Sequence, residues 1–163
     1  EAANQLTSLI YFIPGTISQV VLPLLVDNRN DRSGFKEVLF INLKINIGIA
    51  FIMSIIVSLL SPFLMNLYGD SFKDGFMSLI LLSGSAILIT GNNIIGKVLA
   101  SENKMWHGFF LNLAWGIVHV SAAFQFIKLG YGAVGLSLAF IVSYLIHSIV
   151  QLLYVRRLLV YKI

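Results

Sequence analysis

The sequence contains no cysteine and very little charge. Its 163 residues include 11 Lys and Arg and 7 Asp and Glu, so that 11% is charged, whereas 58% is hydrophobic. The lack of cysteine excludes disulfides and thiolate metal sites but does not fix a compartment. A soluble domain is about a quarter charged, because water must solvate its surface. The composition therefore predicts a surface that mostly faces hydrocarbon. The alternative, a soluble protein with an unusually apolar core, is disfavoured by the length of the apolar runs.

The amino terminus lacks the features of a signal peptide. The chain begins at Glu1, with no initiator Met, no basic region and no small-residue cleavage site. We expect residue 1 to be a cut within a longer protein whose preceding helices are absent. The net charge of +4 does not indicate nucleic-acid binding, because the basic residues lie in connections rather than on one face.

Five apolar segments, separated by short polar breaks, organise the chain. They run from about 6–26, 38–67, 76–100, 108–127 and 133–155. Each reaches the roughly 20 residues that a helix needs to cross about 30 Å of hydrocarbon. Lipid offers the backbone no hydrogen bonds, and the runs lack the alternation of barrel strands. The sequence predicts an all-α, polytopic transmembrane helix bundle of five spans, folded as a single domain over 1–163.

The basic residues are distributed unevenly between the two sides of the predicted bundle. One side carries Lys73 and Lys128. The other carries Arg29, Arg32, Lys36, Lys97, Lys104, Arg156, Arg157 and Lys162. Because cytoplasmic loops are enriched in Lys and Arg, this bias predicts that the first span runs inward and that the carboxy terminus is cytoplasmic.

The few prolines mark candidate helix kinks. They are Pro14, which Gly15 follows, Pro23 in the same span, and Pro62 in the last turns of the second span. Proline lacks a backbone donor, and its ring clashes with the preceding turn. The second span exceeds the thickness of the membrane core and is expected to tilt or protrude.

The order of Gly, Pro and aromatic residues between the helices resembles that of a transporter family. The residues that carry the resemblance are Ala3-Asn4-Gln5-Leu6, Phe12-Ile13-Pro14, Gln19-Val20-Val21-Leu22-Pro23-Leu24, Pro62, Leu67-Tyr68-Gly69, Phe72, Gly96, Leu99-Ala100, Trp106, Asn112, Gly132-Ala133-Val134-Gly135-Leu136, Ala139 and Tyr144. The chain resembles bacterial polysaccharide repeat-unit flippases, the O-antigen and capsule transporters of the multidrug/oligosaccharidyl-lipid/polysaccharide exporter superfamily. The resemblance covers essentially the whole chain and rests on the order and spacing of these residues together.

The resemblance implies most of the second lobe of a twelve-helix, two-lobe transporter in the bacterial cytoplasmic membrane. The implied activity is movement of an undecaprenyl-diphosphate-linked oligosaccharide from the cytoplasmic to the outer leaflet by alternating access. The implied partners are this cargo, membrane lipids and a missing amino-terminal lobe, with no cofactor and no covalent chemistry. The alternative is a cation-coupled exporter of the multidrug and toxic compound extrusion type.

A polar patch early in the second span supplies the first candidates for a substrate path. Lys44 lies eight residues beyond Lys36, at a depth where charge costs about 2.5–3.5 kcal/mol. In a flippase it could attract the cargo's diphosphate; equally, it could snorkel to the interface along its own stem. Asn42 and Asn46 share another face, where interhelical hydrogen bonding is the simpler role.

Other candidates recur at helical spacing in the later spans. In the third span they are Thr90, Asn93 and Lys97, of which Lys97 could simply snorkel. The fourth and fifth spans contribute Asn112, His119, His147 and Gln151. His119 could titrate near neutral pH and so link transport to protons, although a neutral, hydrogen-bonded histidine is favoured.

Several kinds of chemistry lack a signal. No acidic residue lies inside a predicted span, which argues against cation coupling. The three histidines have no acidic or thiolate partners nearby in sequence, so we expect no metal site. Neither a phosphate-binding glycine loop nor a serine nucleophile motif occurs, and every connection is short, so we expect no enzymatic activity.

Overall fold

The computed structural model describes residues 2–161, which form helices joined by short turns. The elements are α1 (Ala2–Ile17), a 3-10 turn (Ser18–Val20), α2 (Val21–Asp27), α3 (Arg32–Leu67), a second 3-10 turn (Asp70–Gly75), α4 (Phe76–Ser101), α5 (Met105–Lys128) and α6 (Gly132–Tyr161). Five helical units are long and apolar enough to cross a membrane: residues 2–27, 32–67, 70–101, 105–128 and 132–159. The predicted five-span, all-α transmembrane bundle is confirmed.

The distribution of side chains is the reverse of that in a soluble protein. Large apolar residues are exposed along every span, for example Phe12, Phe51 and Ile117. Serine, threonine and amide side chains are buried between the helices, and Asn46 and Ser83 have no exposed surface. An outward-facing apolar surface suits hydrocarbon, because lipid tails solvate such side chains as well as a protein core does.

Helix α4 is the centre of the bundle. It packs most extensively on α3 and α6, and also on α1 and α2. One core cluster, which includes Ile10, Ala50 and Ala86, joins α4 to α1 and α3. A second cluster, which includes Leu25, Leu39 and Ile94, lies nearer the other end of the bundle. By contrast, α5 contributes no buried residue and packs chiefly on α6.

The first span is interrupted between its two prolines. The α-helical pattern continues through Pro14 and Gly15 but gives way to the 3-10 turn at Ser18–Val20. Pro23 has no N–H, so the Gln19 carbonyl loses the donor that a continuous helix would supply. In the second span, the helix continues through Pro62 to Leu67.

Helix α3 begins six residues before the predicted apolar segment. Asp31 caps it by accepting a hydrogen bond from the Ser33 backbone N–H at 3.0 Å. With 36 residues, α3 is about 54 Å long, whereas the hydrocarbon core is about 30 Å thick. The first turns of α3, which carry Arg32 and Lys36, can therefore project into the headgroup region.

Gly135 fixes the close approach of α5 and α6. A Cβ atom there would lie 2.9 Å from Phe126 Cβ and 2.9 Å from Tyr131 Cβ. We expect Gly135→Ala to lower the free energy of unfolding by about 1 kcal/mol, because the clash outweighs the gain in helix propensity. Gly116→Ala, in α5, meets no atom within 4 Å and should leave stability unchanged or raise it. Denaturation in detergent micelles, followed by circular dichroism, gives the free energy of unfolding of both variants. Equal values would contradict the close approach of the two helices at Gly135.

Candidate functional site

The candidate site is a crevice between α1 and α6 that has α4 as its floor. Both α1 and α6 pack on α4 but make little direct contact with each other. Tyr11 on α1 lies near Tyr144 on α6, across the crevice. At one end the crevice widens into a cavity of about 480 Å³, which we call the terminal cavity. Polar side chains from all three helices border this crevice.

Two of the three candidates on α4 have their polar groups occupied within the protein. Thr90 is buried, and its hydroxyl donates to the Ala86 carbonyl at 2.9 Å. Lys97 Nζ donates to the Ser18 carbonyl oxygen and, at 2.9 Å, to Ser18 Oγ. Asn93, however, is exposed, and its neighbour Asn92 is buried instead.

Lys97 binds the interruption of the first span. The Ser18 carbonyl already accepts from the Val21 N–H, and the Ser18 hydroxyl donates to the Gly15 carbonyl at 2.9 Å. A cation at this point also faces the negative end of the α1 dipole. Lys97 therefore connects the interruption of the first span to α4. Snorkelling alone, the simpler role that the sequence allows, does not include such a contact.

The candidates on α6 lie at its interfaces with α4 and α5. His147 is buried and lies against the backbone of Leu111 on α5. Gln151 is also buried, with Nε2 3.7 Å from the position that a Cβ on Gly96 would occupy. These contacts show that both residues help to pack α6 against its neighbours.

His119 belongs to an aromatic cluster between α5 and α6. Its ring stacks on Trp115 at 5.5 Å and lies 4.4 Å from the Phe140 ring. Its Nδ1 is 3.3 Å from Ser143 Oγ. Tyr144 lies 4.9 Å from Trp115, so the cluster extends from α5 to the wall of the crevice. The ring nitrogen therefore lies within hydrogen-bonding distance of α6, while the favoured neutral histidine and the alternative of proton-linked transport both stay predictions.

Both amide candidates on α3 form hydrogen bonds along their own helix. Asn42 Nδ2 donates to the Val38 carbonyl at 2.8 Å, and buried Asn46 donates to the Asn42 carbonyl at 2.9 Å. Lys44 is exposed on the outer face of α3 and has no ion pair within residues 2–161. Because α3 begins at Arg32 and exceeds the membrane thickness, Lys44 can reach the interface; its contact with the cargo stays a prediction.

Asn112 lies on the exposed face of α5, outside the crevice. It borders a shallow groove with Gly116 and Ser121. Within residues 2–161, no three or more His, Asp or Glu side chains come together in a way that could hold a metal ion.

Sequence reasoning missed the polar residues of the terminal cavity. Asp74 and Tyr131 lie between the predicted spans, but both line the cavity, as does Ser78 in the first turn of α4. No periodicity identifies them, because they come from different elements that only the fold brings together. The connections are thus part of the site.

Comparison with known proteins gives two distant relatives. The chain is 24% identical over 140 residues to the EPS I polysaccharide export inner membrane protein EpsE of Ralstonia nicotianae, covering 83% of this chain and 31% of the relative. It is 24% identical over 142 residues to the protein of the same name from Ralstonia solanacearum, with the same coverage. The chain therefore spans about a third of the length of the curated relatives it matches. No family model and no solved structure matches it.

Proposed function

We propose that this chain is part of a polysaccharide exporter of the bacterial inner membrane. In this proposal it moves undecaprenyl-diphosphate-linked oligosaccharide repeat units from the cytoplasmic to the outer leaflet. The names of the two relatives support polysaccharide export at the inner membrane. The flippase resemblance supports the nature of the cargo. No covalent chemistry and no cofactor are part of the proposed cycle.

The crevice between α1 and α6 is the observation that carries the proposal. Both helices are anchored on α4, yet they make little contact with each other across the residues described. They can therefore separate without breaking a large packed interface. Alternating access needs such an arrangement, in which rigid parts rock around a fixed path.

The charge at the two ends of the bundle agrees with this direction of transport. The end formed by the start of α3 and the end of α6 carries Arg29, Arg32, Lys36, Arg156 and Arg157. By the positive-inside rule this end faces the cytoplasm, where a cargo with a diphosphate would enter. The opposite end carries Asp70, Lys73, Asp74 and Lys128. In this proposal the carboxy terminus is therefore on the cytoplasmic side.

Deletion of the gene in its native host tests the function. We expect the deletion strain to lose most of its surface polysaccharide and to accumulate lipid-linked repeat units on the cytoplasmic face, because the crossing step fails while synthesis continues. Surface polymer is measured by immunoblotting, and the sidedness of the repeat units by labelling intact and opened cells.

The controls separate this role from its alternatives. Re-expression of the full-length protein should restore the polymer. Accumulation of repeat units on the outer face would indicate a polymerase or ligase and contradict flipping. Normal polymer with increased sensitivity to cationic drugs would instead support the multidrug and toxic compound extrusion alternative.

A further inference from the structure

The terminal cavity lies where the first turns of α1, α4 and α6 meet the turn at Asp70–Gly75. Its volume of about 480 Å³ is within the usual range for small-molecule sites. Its polar lining comes from Asn4, Ser71, Asp74, Ser78 and Ser137. Its aromatic lining comes from Phe72, Tyr131 and Phe140. The cavity thus combines flat apolar surfaces with several hydrogen-bonding groups.

The hydroxyl of Ser78 points to a ligand. Ser78 is only 5% exposed, and its Oγ has no hydrogen-bond partner among residues 2–161. A buried hydroxyl without a partner costs free energy, so such groups usually bind water or a ligand. On the facing helix, the Ser137 hydroxyl donates to the Ala133 carbonyl at 3.2 Å and retains lone pairs that can accept.

The acceptor and donor groups around Ser78 are mostly uncharged. Asp74 is the charged residue that lines the cavity, and it forms no ion pair in the described part of the chain, whereas neighbouring Asp70 is paired with Lys73 at 2.5 Å. An unpaired carboxylate accepts hydrogen bonds from hydroxyl groups but repels anions. The cavity is therefore unsuited to the diphosphate of the proposed cargo.

Aromatic residues outside the cavity pack against two of the rings that line it. Phe140 packs on the His119 ring at 4.4 Å and is stacked with the Tyr144 ring at 6.2 Å. The Tyr131 ring contacts Phe126 at 6.1 Å, edge to face. The Phe140 ring, which is fixed in this way, offers an apolar face at little cost in conformational entropy.

We infer that the terminal cavity binds a sugar ring. A pyranose presents an apolar C–H face to an aromatic ring and hydroxyl groups, each donor and acceptor, to carboxylate, amide and hydroxyl partners. A lipid tail would leave Ser78 and Asp74 without hydrogen-bond partners. An organic cation would leave the neutral hydroxyl and amide donors of the cavity without acceptors. The inference rests on the proposed function, since it takes the sugar to be part of the exported polysaccharide.

Saturation-transfer NMR on the full-length protein in lipid nanodiscs tests the inference. The probes are glucose, galactose and N-acetylgalactosamine, with tetraphenylphosphonium and inorganic pyrophosphate for comparison. We expect at least one sugar to bind and pyrophosphate not to bind. Asp74→Asn and Ser78→Ala should each weaken the sugar about five- to tenfold, as expected for one lost hydrogen bond.

Matched variants make the result specific. Asp70→Asn changes a carboxylate in the same turn that does not line the cavity, and Ser85→Ala changes a buried hydroxyl on α4 that donates to the Leu82 carbonyl. Both should bind sugar like the unmodified protein. The inference is overturned if no sugar binds, if the controls weaken binding as much as the cavity variants, or if only tetraphenylphosphonium binds.

The outcome is independent of the gene-deletion experiment. If deletion abolishes export but no sugar binds in nanodiscs, the cavity inference fails and the proposed function stands. If sugars bind with the expected dependence on Asp74 and Ser78 but deletion leaves surface polymer normal, the site stands as a sugar site and the export role fails.

Discussion

Replacing Ala86 with leucine should lower the free energy of unfolding by about 1–3 kcal/mol, as overpacking of a close-packed core usually does. Ala86 is completely buried on α4, in the core cluster that also contains Ile10 and Ala50. Its methyl group faces α1 and α3, so additional carbon atoms can enter only if a neighbouring helix moves. Denaturation in mixed micelles, followed by circular dichroism, gives the change.

Gly84→Leu is the matched control, because Gly84 lies two residues earlier on the same helix but faces outward. A Cβ added there meets no atom within 4 Å. Leucine is also a better helix former than glycine, so this variant should be as stable as the unmodified protein or more so. If both leucines destabilise equally, α4 does not present the face to the core that the structure assigns.

Replacing Lys97 with methionine should lower the free energy of unfolding by about 2 kcal/mol, a usual value for a hydrogen bond to a charged group. Methionine keeps the length of the side chain but cannot donate to the carbonyl and hydroxyl of Ser18. The interruption of the first span would then lose its contact with α4. We expect faster amide hydrogen exchange around Ser18–Val20 in addition to the lower stability.

Lys44→Met is the control for Lys97→Met, because Lys44 is an exposed lysine without an ion pair in the described chain. Its replacement should change stability by no more than about 0.5 kcal/mol, as for most surface substitutions. Equal losses in the two variants, or unchanged exchange at Ser18–Val20 in Lys97→Met, would contradict the role assigned to Lys97.

The number and approximate position of the helices could be predicted because hydropathy reports them directly. The third span was expected at about 76–100, and α4 runs from Phe76 to Ser101. Helix α3 begins before the predicted apolar segment, because hydropathy reports where lipid begins rather than where a helix does. Asp31 caps the first turn of α3 by accepting a hydrogen bond from the Ser33 backbone N–H. The helix therefore includes polar residues that precede the apolar segment, and hydropathy does not report them.

The candidate site was less predictable, because it depends on packing between distant segments. Helical spacing grouped Asn93 with Thr90, but α4 is enclosed on several sides, and Asn92 is the asparagine that becomes buried. The spacing of Lys97 gave no indication of Ser18, which lies 79 residues earlier. Whether Asn42, Asn112, His147 or Gln151 contacts a cargo stays a prediction.

The peripheral position of α5 has a practical consequence. Because α5 packs chiefly on α6, and Gly135 holds the turn between them closely, the two helices should move as one rigid hairpin. Any tilt of α6 away from α1 would then produce a larger displacement at the lipid-facing side of α5. A spin label at Ile117 would report this displacement by its distance to a second label on α3, without placing a probe in the path of the cargo.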